Sequence, residues 1–266
     1  MPPASYDAYV FDLDGTIYLG EHALPGAVET IAELRRRGAV VRFISNNVTR
    51  SPEQYVTKLR DLGIATDLSE VVTPTVTTVR WLLAHAPDAV VFPIAPPPVV
   101  AALTEAGIAV GQDPERIDVV LASYDRTFDY AKLQIAFDAI WFHRRARLMS
   151  TNPDRFCPYP GGRGEPDAAA VVAAIEASTG TTCERTFGKP DPVVLELALA
   201  GVDVAPDQVV MVGDRLATDI AMGAAAGTAT ALVLTGDSTA AEAAALPPEQ
   251  RPTYVLDGVG GLLDAV

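Results

Sequence analysis

Short apolar runs rich in β-branched residues alternate along this chain with longer segments of helical periodicity, and this alternation constrains the fold most strongly. A predicted strand at residues 8–14, AYVFDLD, precedes a predicted helix at 26–38. A second strand at 39–47 precedes a helix at 51–64, which begins with Ser51 and Pro52 as cap and first-turn residues. Strands that alternate with helices in this way form βαβ units. The sequence therefore predicts an α/β protein with a mostly parallel sheet.

The same alternation continues through the rest of the chain, although the middle section is richer in proline. Further strands are predicted at 88–92, 117–123, 146–151, 207–214, 228–236 and 253–257. A Pro- and Gly-rich stretch, NPDRFCPYPGGRGEP, is predicted as a loop that leads into a helix at 167–179. The middle section is long enough to form a small α/β unit of its own.

The charge of the chain limits its partners. With 20 Lys and Arg against 34 Asp and Glu, the formal net charge is −14, which disfavours nucleic acid and anionic membranes. The first residues, MPPASYDAYVF, lack the basic and apolar regions of a signal peptide, and no apolar run approaches the length of a membrane span. We therefore expect a cytoplasmic protein, in which any phosphate site must create its own positive field.

Unusual polar side chains lie at the ends of the predicted strands, at the edge where open parallel sheets bind their ligands. They are Asp12, Asp14, Ser45, Asn46, Asn47 and Asp214, and Lys189 lies just before a helix. Taken singly, each would be a turn former, a helix cap or a solvated charge. Three acids at two strand ends, with no histidine or thiolate beside them, form an oxygen-ligand site of the type that suits Mg²⁺.

The spacing of the first two acids suggests two different tasks for them. Gly15 follows Asp14 and lets the chain turn, so that the two carboxylates can address different sides of one bound group. One could attack phosphorus while the other handles protons, because aspartate is a known nucleophile in aspartyl-phosphate chemistry. Mg²⁺, Lys189 and the Ser45 hydroxyl are suited to neutralising and holding a phosphoryl group.

Four ordered motifs resemble those of the haloacid dehalogenase superfamily of phosphatases. They are DLDGT at 12–16, SNN at 45–47, GKP at 188–190 and GDRLATD at 213–219. The long insert between the second and third motifs resembles the NagD-like subgroup, as do TNPDRFCPYPGG and AGTATALVLTG. The resemblance implies a Rossmann-like doubly wound core at 1–77 and 186–266, with a smaller α/β cap domain inserted at 78–185.

The resemblance also implies roles for individual residues. Asp12 would be the nucleophile that becomes phosphorylated, and Asp14 the group that protonates the leaving oxygen and later activates water. Ser45, Asn46, Asn47 and Lys189 would face the phosphoryl group or the substrate. Arg215 is a candidate for a substrate contact because it lies beside Asp214 in the sequence. Asp12, the Asp14 carbonyl, Asp214 and Asp219 would serve the Mg²⁺ ion.

The expected activity is hydrolysis of a small phosphate monoester, such as a sugar phosphate, a glycerol phosphate or phosphoglycolate. A phosphotransferase or phosphomutase using the same intermediate remains an alternative, although a large cap inserted late in the chain favours a hydrolase. A receiver-like protein that binds Mg²⁺ and phosphate without turnover is a second alternative, but such a domain is about half this length and lacks the insert. The resemblance also allows a homodimer formed through the cap.

Overall fold

The computed structural model describes residues 5–159 and 163–263, and its strands and helices lie within these ranges. The strands are β1 Ala8–Asp12, β2 Tyr18–Leu19, β3 His22–Ala23, β4 Val40–Ile44, β5 Val71–Val72, β6 Val90–Ile94, β7 Ala109–Val110, β8 Val119–Ala122, β9 Arg147–Ser150, β10 Phe156–Tyr159, β11 Arg163–Pro166, β12 Arg185–Thr186, β13 Val209–Gly213, β14 Ala229–Val233 and β15 Tyr254–Leu256. The helices are α1 Ala27–Arg36, α2 Pro52–Asp61, α3 Pro74–His85, α4 Pro97–Glu105, α5 Tyr130–Phe137, α6 Ala168–Thr179, α7 Val193–Ala198, α8 Ala221–Ala225 and α9 Ala240–Ala245.

By their internal contacts, the described residues divide into two compact units. The first contains residues 5–45, 52–72 and 189–263, and the second contains 46–51, 73–159 and 163–188. The chain therefore passes between the units four times, after Ser45, Ser51, Val72 and Gly188. The assignment of the first unit as a catalytic core and of the second as a cap stays a prediction.

The first unit is built on a six-stranded sheet with the order β15-β14-β13-β1-β4-β5, in which every neighbouring pair is parallel. Strands β1 and β13 lie side by side, and all residues of both are buried. A strand that is covered on both faces has no solvent side, which is why AYVFD and VVMVG are almost entirely apolar.

Alternate residues of β1 pack against opposite layers of helices. Tyr9 and Phe11 belong to a core with α1 and α2, whereas Ala8 and Val10 belong to a core with α7 and α8. This division follows from the two-residue period of a strand, whose side chains point to opposite faces in turn. Helices on both faces make the first unit a doubly wound α/β fold, as the sequence predicts.

The second unit repeats the same principle on a smaller scale. Its five-stranded sheet has the order β12-β9-β8-β6-β7, with every neighbouring pair parallel. Helices α3 and α4 contribute to the core on one face, and α5 and α6 to the core on the other. An α/β protein with two parallel sheets confirms the predicted fold class.

One predicted loop is partly wrong. Within the Pro- and Gly-rich stretch, β10 and β11 form an antiparallel hairpin in which Phe156 pairs with Pro166 and Cys157 with Glu165. Proline and glycine mark the turn of a hairpin as readily as an open loop, so composition does not reveal the pairing. Residues 160–162, which belong to the stretch that resembles the NagD-like subgroup, lie outside the described residues.

The longest helices of the described residues, α3 and α6, have 12 residues each. None of the described helices combines the length and the apolar character needed to cross a bilayer.

Candidate active site

Asp12 is the last residue of the central strand β1, and its side chain is buried in the first unit. The residues before it are held in the sheet by β4 on one side and β13 on the other. Beyond the strand the chain turns sharply, because the Ile17 amide bonds back to the Leu13 carbonyl at 2.9 Å. The fold thus fixes a carboxylate at the carboxyl edge of the sheet.

Lys189 approaches this carboxylate from the third motif. Its ammonium group donates to Oδ1 of Asp12 and to Oδ1 of Asp219, the latter at 2.7 Å. The three side chains are almost completely buried, with exposures of 4%, 8% and 0%. An ammonium group is kept in such a site only when anionic partners compensate for its lost hydration.

Asp214 and Asp219 enter the same cluster from neighbouring elements. Asp214 directly follows β13, and Asp219 lies in one turn of π-helix, Leu216–Ile220, that precedes α8. One carboxylate oxygen from each of Asp12, Asp214 and Asp219 lies within 4.8 Å of the others. Because β1 and β13 are parallel neighbours, acids that follow them must meet at the same edge of the sheet.

Burial and mutual repulsion make these acids hard to ionise. Burial, reinforced by the charges of Asp12 and Asp219, raises the pKa of Asp214 to about 8. Burial also raises the pKa of Asp219 to about 6, although Lys189 partly opposes this shift. Without a further positive charge, the cluster therefore holds protons that ordinary aspartates would have released.

The pKa values of Asp12 and Lys189 also depend on both burial and the charges of neighbouring groups. Burial raises the pKa of Asp12 despite the attraction of Lys189. Burial alone would lower the pKa of Lys189, but the charges of Asp12 and Asp219 outweigh it, so this pKa is raised. Lys189 therefore keeps its positive charge.

The arrangement of donor atoms fits a small divalent cation. Oδ1 of Asp214 is buried and has no hydrogen-bond partner among the described residues, whereas Oδ2 accepts from the Asp237 amide at 2.8 Å. The three acids provide only oxygen ligands, the type preferred by Mg²⁺ and Ca²⁺. A cation would occupy the orphaned lone pairs of Asp214 and offset the burial and the repulsion that raise the pKa values of Asp214 and Asp219.

Two glycines allow the backbone to approach Asp214 closely. A Cβ atom on Gly15, which has φ +88°, would lie 2.7 Å from Oδ2 of Asp214, and a Cβ atom on Gly236 would overlap the same carboxylate. The position of Gly15 after the two acids indicates a turn from the sequence alone. Gly236 ends the stretch AGTATALVLTG, which resembles the NagD-like subgroup, but no local pattern connects Gly236 or Asp237 with Asp214.

Asp14 differs from the other acids because it is exposed. Its charge contributes to the raised pKa of Asp12, so it lies close enough to influence the buried cluster. Oδ2 of Asp14 accepts a hydrogen bond of 3.1 Å from the hydroxyl of Tyr18, which is fully buried. Burial and the charge of Asp14 raise the pKa of Tyr18, so its hydroxyl keeps the proton that it donates.

Two further predicted residues lie in the first unit. Ser45 is buried directly after β4, where its hydroxyl donates to the Tyr55 hydroxyl at 3.4 Å and its amide to the Val72 carbonyl at 3.1 Å. Arg215 is partly buried, and its amide donates to Oδ2 of Asp219 at 3.1 Å. Its guanidinium lies 3.9 Å from the carboxylate of Asp237.

Asn46 and Asn47 belong to the second unit instead. The Asn46 side chain donates to Asp154 at 3.2 Å, and its carbonyl accepts from the Asn152 side chain at 3.2 Å. The Asn47 side chain accepts from the amide and the hydroxyl of Thr49 at 2.9 Å and 2.7 Å. These hydrogen bonds connect both asparagines to other residues of the second unit.

Comparisons with known proteins agree with this arrangement. Residues 9–109 match a family described as haloacid dehalogenase-like hydrolase, and residues 186–262 match one described as HAD-hydrolase-like. An acid sugar phosphatase from Staphylococcus haemolyticus is 35% identical over 250 residues, which cover 94% of this chain and 92% of that protein.

Solved structures extend the likeness to the whole fold. A 4-nitrophenylphosphatase from Thermotoga maritima is 32% identical, with a TM-score of 0.89 over 98% of this chain and 97% of that one. A glycerol phosphate phosphatase from Mycobacterium tuberculosis, solved with magnesium, is 30% identical, with a TM-score of 0.87 over 97% of this chain and 76% of that one. The chain therefore belongs to the haloacid dehalogenase-like hydrolases, and among them to the NagD and p-nitrophenylphosphatase type.

Proposed function

We propose that this protein is a Mg²⁺-dependent phosphatase that hydrolyses small phosphate monoesters through an aspartyl-phosphate intermediate on Asp12. The observation that carries the proposal is the buried Asp12 carboxylate, which accepts a hydrogen bond from Lys189 and lies with Asp214 and Asp219 at one edge of the sheet. The relatives named as sugar, glycerol phosphate and 4-nitrophenyl phosphatases support small phosphate esters as the substrate class.

The reaction divides into two displacements at phosphorus. In the first, an oxygen of Asp12 attacks, the bond from phosphorus to the leaving oxygen breaks, and Asp14 gives that oxygen a proton. In the second, ionised Asp14 takes a proton from water, whose oxygen attacks the phosphorus while the bond to Asp12 breaks. Inorganic phosphate then leaves. The exposure of Asp14 suits this task, because it must reach both a leaving group and water.

The surrounding residues hold and neutralise the phosphoryl group. Lys189 supplies a fixed positive charge beside the attacking carboxylate, and the Ser45 hydroxyl follows the neighbouring strand at the same edge. The amides of Asn46 and Asn47 and the guanidinium of Arg215 remain candidates for phosphate or substrate contacts. When bound, Mg²⁺ would supply positive charge that offsets the charge on the phosphoryl oxygens.

The residues proposed to hold the ion are Asp12, the Asp14 carbonyl and Asp214, with Asp219 close by. Asp214 is the strongest candidate among the side chains because its Oδ1 is buried without a partner in the described residues. Both oxygens of Asp219 already accept hydrogen bonds, from Lys189 and from the Arg215 amide. We therefore assign Asp219 mainly to orienting Lys189 and to contacts with waters of the ion.

The two units are assigned as catalytic core and inserted cap. All side chains that form the acidic cluster and its lysine belong to the first unit, and the second unit interrupts that unit in the sequence.

We also propose a homodimer formed through the second unit, which exposes Tyr130, Trp141 and Phe142. A single monomeric species in sedimentation velocity at micromolar concentration would exclude this dimer.

The function is tested by measuring phosphate release from a panel of substrates with Mg²⁺ present. We expect release from p-nitrophenyl phosphate and from at least one sugar phosphate, glycerol phosphate or phosphoglycolate. The diester bis(p-nitrophenyl) phosphate serves as a control that should not react. A phosphotransferase or phosphomutase would instead transfer the phosphoryl group to a second substrate and release little phosphate. No release from any monoester by the folded protein would overturn the proposal.

Binding of Mg²⁺ is expected to stabilise the protein more as pH rises. A carboxyl group whose pKa is raised on folding, as in Asp214, stabilises the metal-free fold at low pH and loses that contribution as pH rises through its folded pKa. The ion binds the ionised form, so its affinity should rise about fiftyfold between about pH 6 and pH 8. This corresponds to as much as about 2.3 kcal/mol of additional stabilisation.

The measurement is the Mg²⁺-induced shift in Tm at a fixed ion concentration across this pH range. Asp214→Asn should abolish most of the shift at every pH, because it removes the orphaned carboxylate oxygen. Equal shifts for the native protein at low and high pH would contradict the assignment of Asp214 as a ligand.

A further inference from the structure

We propose that Tyr18 is a positioning residue, which uses its hydroxyl to hold the Asp14 carboxylate in the orientation needed to protonate the leaving group. This inference rests on the proposed function, in which Asp14 transfers protons. The direct observation is the 3.1 Å hydrogen bond from the Tyr18 hydroxyl to Oδ2 of Asp14.

The backbone around the two residues is tightly constrained. The Gly15 amide donates to the Tyr18 carbonyl at 2.9 Å, and the Tyr18 amide donates to the Leu13 carbonyl at 3.2 Å. Asp14 and Tyr18 also form an isolated bridge between their backbones, and Tyr18 is the first residue of β2 in the small hairpin of β2 and β3. The backbone therefore holds Asp14 and Tyr18 close together, so the hydrogen bond between their side chains requires little further ordering.

The contrast in burial gives the hydrogen bond its significance. Tyr18 is completely buried, whereas Asp14 is exposed. A tyrosine has only two side-chain torsions, and the packed core around Tyr18 restricts both of them. Its hydroxyl is thus a rigid point to which an exposed carboxylate can be fixed.

A cation on the ring face holds Tyr18 from the other side. The Lys58 ammonium group, from α2, lies 3.6 Å from the centroid of the Tyr18 ring, well within the range of a cation–π interaction. The Lys58 side chain is only 9% exposed, and its ammonium also lies 3.8 Å from Glu21. The positive charge both restrains the ring and makes its hydroxyl a better donor.

A purely structural role for Tyr18 predicts a different outcome. A buried tyrosine commonly finds a partner for its hydroxyl simply to avoid an unsatisfied polar group. In that case, removing the hydroxyl would impair all substrates equally through stability or folding. If Tyr18 acts through Asp14, the loss of kcat/KM depends on how much the leaving group needs a proton, because general acid catalysis matters most for basic leaving groups.

The test compares Tyr18→Phe with the native protein on two substrates under saturating Mg²⁺. We expect kcat/KM for glycerol 3-phosphate to fall about tenfold, the scale of one lost hydrogen bond to a charged group. For p-nitrophenyl phosphate, whose leaving group is weakly basic, kcat/KM should fall less than about threefold. The use of kcat/KM matters because it reports the step in which the leaving group departs, before the common hydrolysis of the intermediate.

Tyr9→Phe is the matched control, since it removes another buried hydroxyl from the same region of the chain. The Tyr9 hydroxyl accepts from the Tyr6 amide, which lies outside the acidic cluster. The substitution should leave the ratio of the two kcat/KM values unchanged. If Tyr18→Phe does not fold, Lys58→Met provides the second variant, with a smaller change of the ratio in the same direction.

Two outcomes would overturn the proposal while leaving the phosphatase function intact. One is an equal fall for both substrates in folded Tyr18→Phe, and the other is no fall for either. If glycerol 3-phosphate is not a substrate of the native protein, any alkyl phosphate that it hydrolyses serves instead. Absence of phosphatase activity in the native protein is the separate result that contradicts the proposed function itself.

Discussion

Replacing Asp12 with asparagine is expected to reduce the release of p-nitrophenol from p-nitrophenyl phosphate by at least about four orders of magnitude, the scale on which enzymes lose kcat without their nucleophile. The amide has nearly the same shape as the carboxylate but lacks the charge and nucleophilicity needed to attack phosphorus. The rate should be measured with saturating Mg²⁺ and with enough protein to detect a residual turnover.

The same substitution should not destabilise the metal-free protein. In the native cluster, burial raises the pKa values of Asp12, Asp214 and Asp219, and the charge of Asp12 raises those of Asp214 and Asp219 further. Removing one of these acids relieves the repulsion, so we expect the Tm of Asp12→Asn in EDTA to equal or exceed that of the native protein. A cluster that costs stability but serves chemistry is common at active sites.

Asp7→Asn is the matched control for this experiment. Asp7 immediately precedes the same strand, β1, and is exposed, so the same chemical change there should alter neither turnover nor Tm. A folded Asp12→Asn protein that retains turnover within tenfold of the native rate would refute the nucleophile assignment. A loss of activity in Asp7→Asn would show instead that the assay responds to changes unrelated to the cluster.

Much of the fold and of the acidic cluster can be predicted from the sequence because both depend on simple rules. The uniformly apolar runs of β1 and β13 indicate strands that are covered on both faces, and such strands are usually parallel. Parallel strands end at one edge, so Asp12 and Asp214 have to approach each other if the two strands are neighbours. The sequence indicates which residues come together, and only the structure provides their distances and burial.

Other features depend on contacts that no local pattern encodes. SNN is a continuous motif, yet the chain passes from the first unit to the second within it, between Ser45 and Asn46. Tyr18 has the composition of an ordinary core residue, and its bond to Asp14 depends on the turn that brings positions four apart together. The hairpin of β10 and β11 is hidden for a similar reason, because its prolines and glycines also suit an open loop.

Replacing Lys189 with methionine is expected to remove most of the activity and to destabilise the metal-free protein. Methionine keeps a similar length but leaves the buried carboxylates of Asp12 and Asp219 without the ammonium group that contacts both. Breaking a buried ion pair by removing one partner typically costs about 3–5 kcal/mol of unfolding free energy. Loss of one preorganised positive charge beside the reacting group should lower kcat by about a thousandfold.

The loss of stability in Lys189→Met should grow with pH. Without the ammonium group, the pKa values of Asp12 and Asp219 rise further, so both acids take up protons and become neutral in mildly acidic solution. A carboxyl group with a raised pKa in the folded state stabilises the fold below its unfolded pKa of 3.8 and loses that contribution as pH increases through its folded value. We therefore expect the free energy of unfolding of Lys189→Met to lie slightly below the native value near about pH 5 and to show the full deficit near about pH 8.

Denaturant unfolding in EDTA at both pH values measures this difference. Lys132→Met provides a matched control, because Lys132 forms a partly exposed pair with Asp125 in the second unit. In Lys132→Met, Asp125 keeps its hydrogen bonds from the amide and the hydroxyl of Thr127. This substitution should therefore lower the free energy of unfolding less than Lys189→Met does, and it should leave turnover unchanged. A deficit for Lys189→Met that is independent of pH would mean that lost packing, rather than uncompensated carboxylate charge, accounts for the destabilisation.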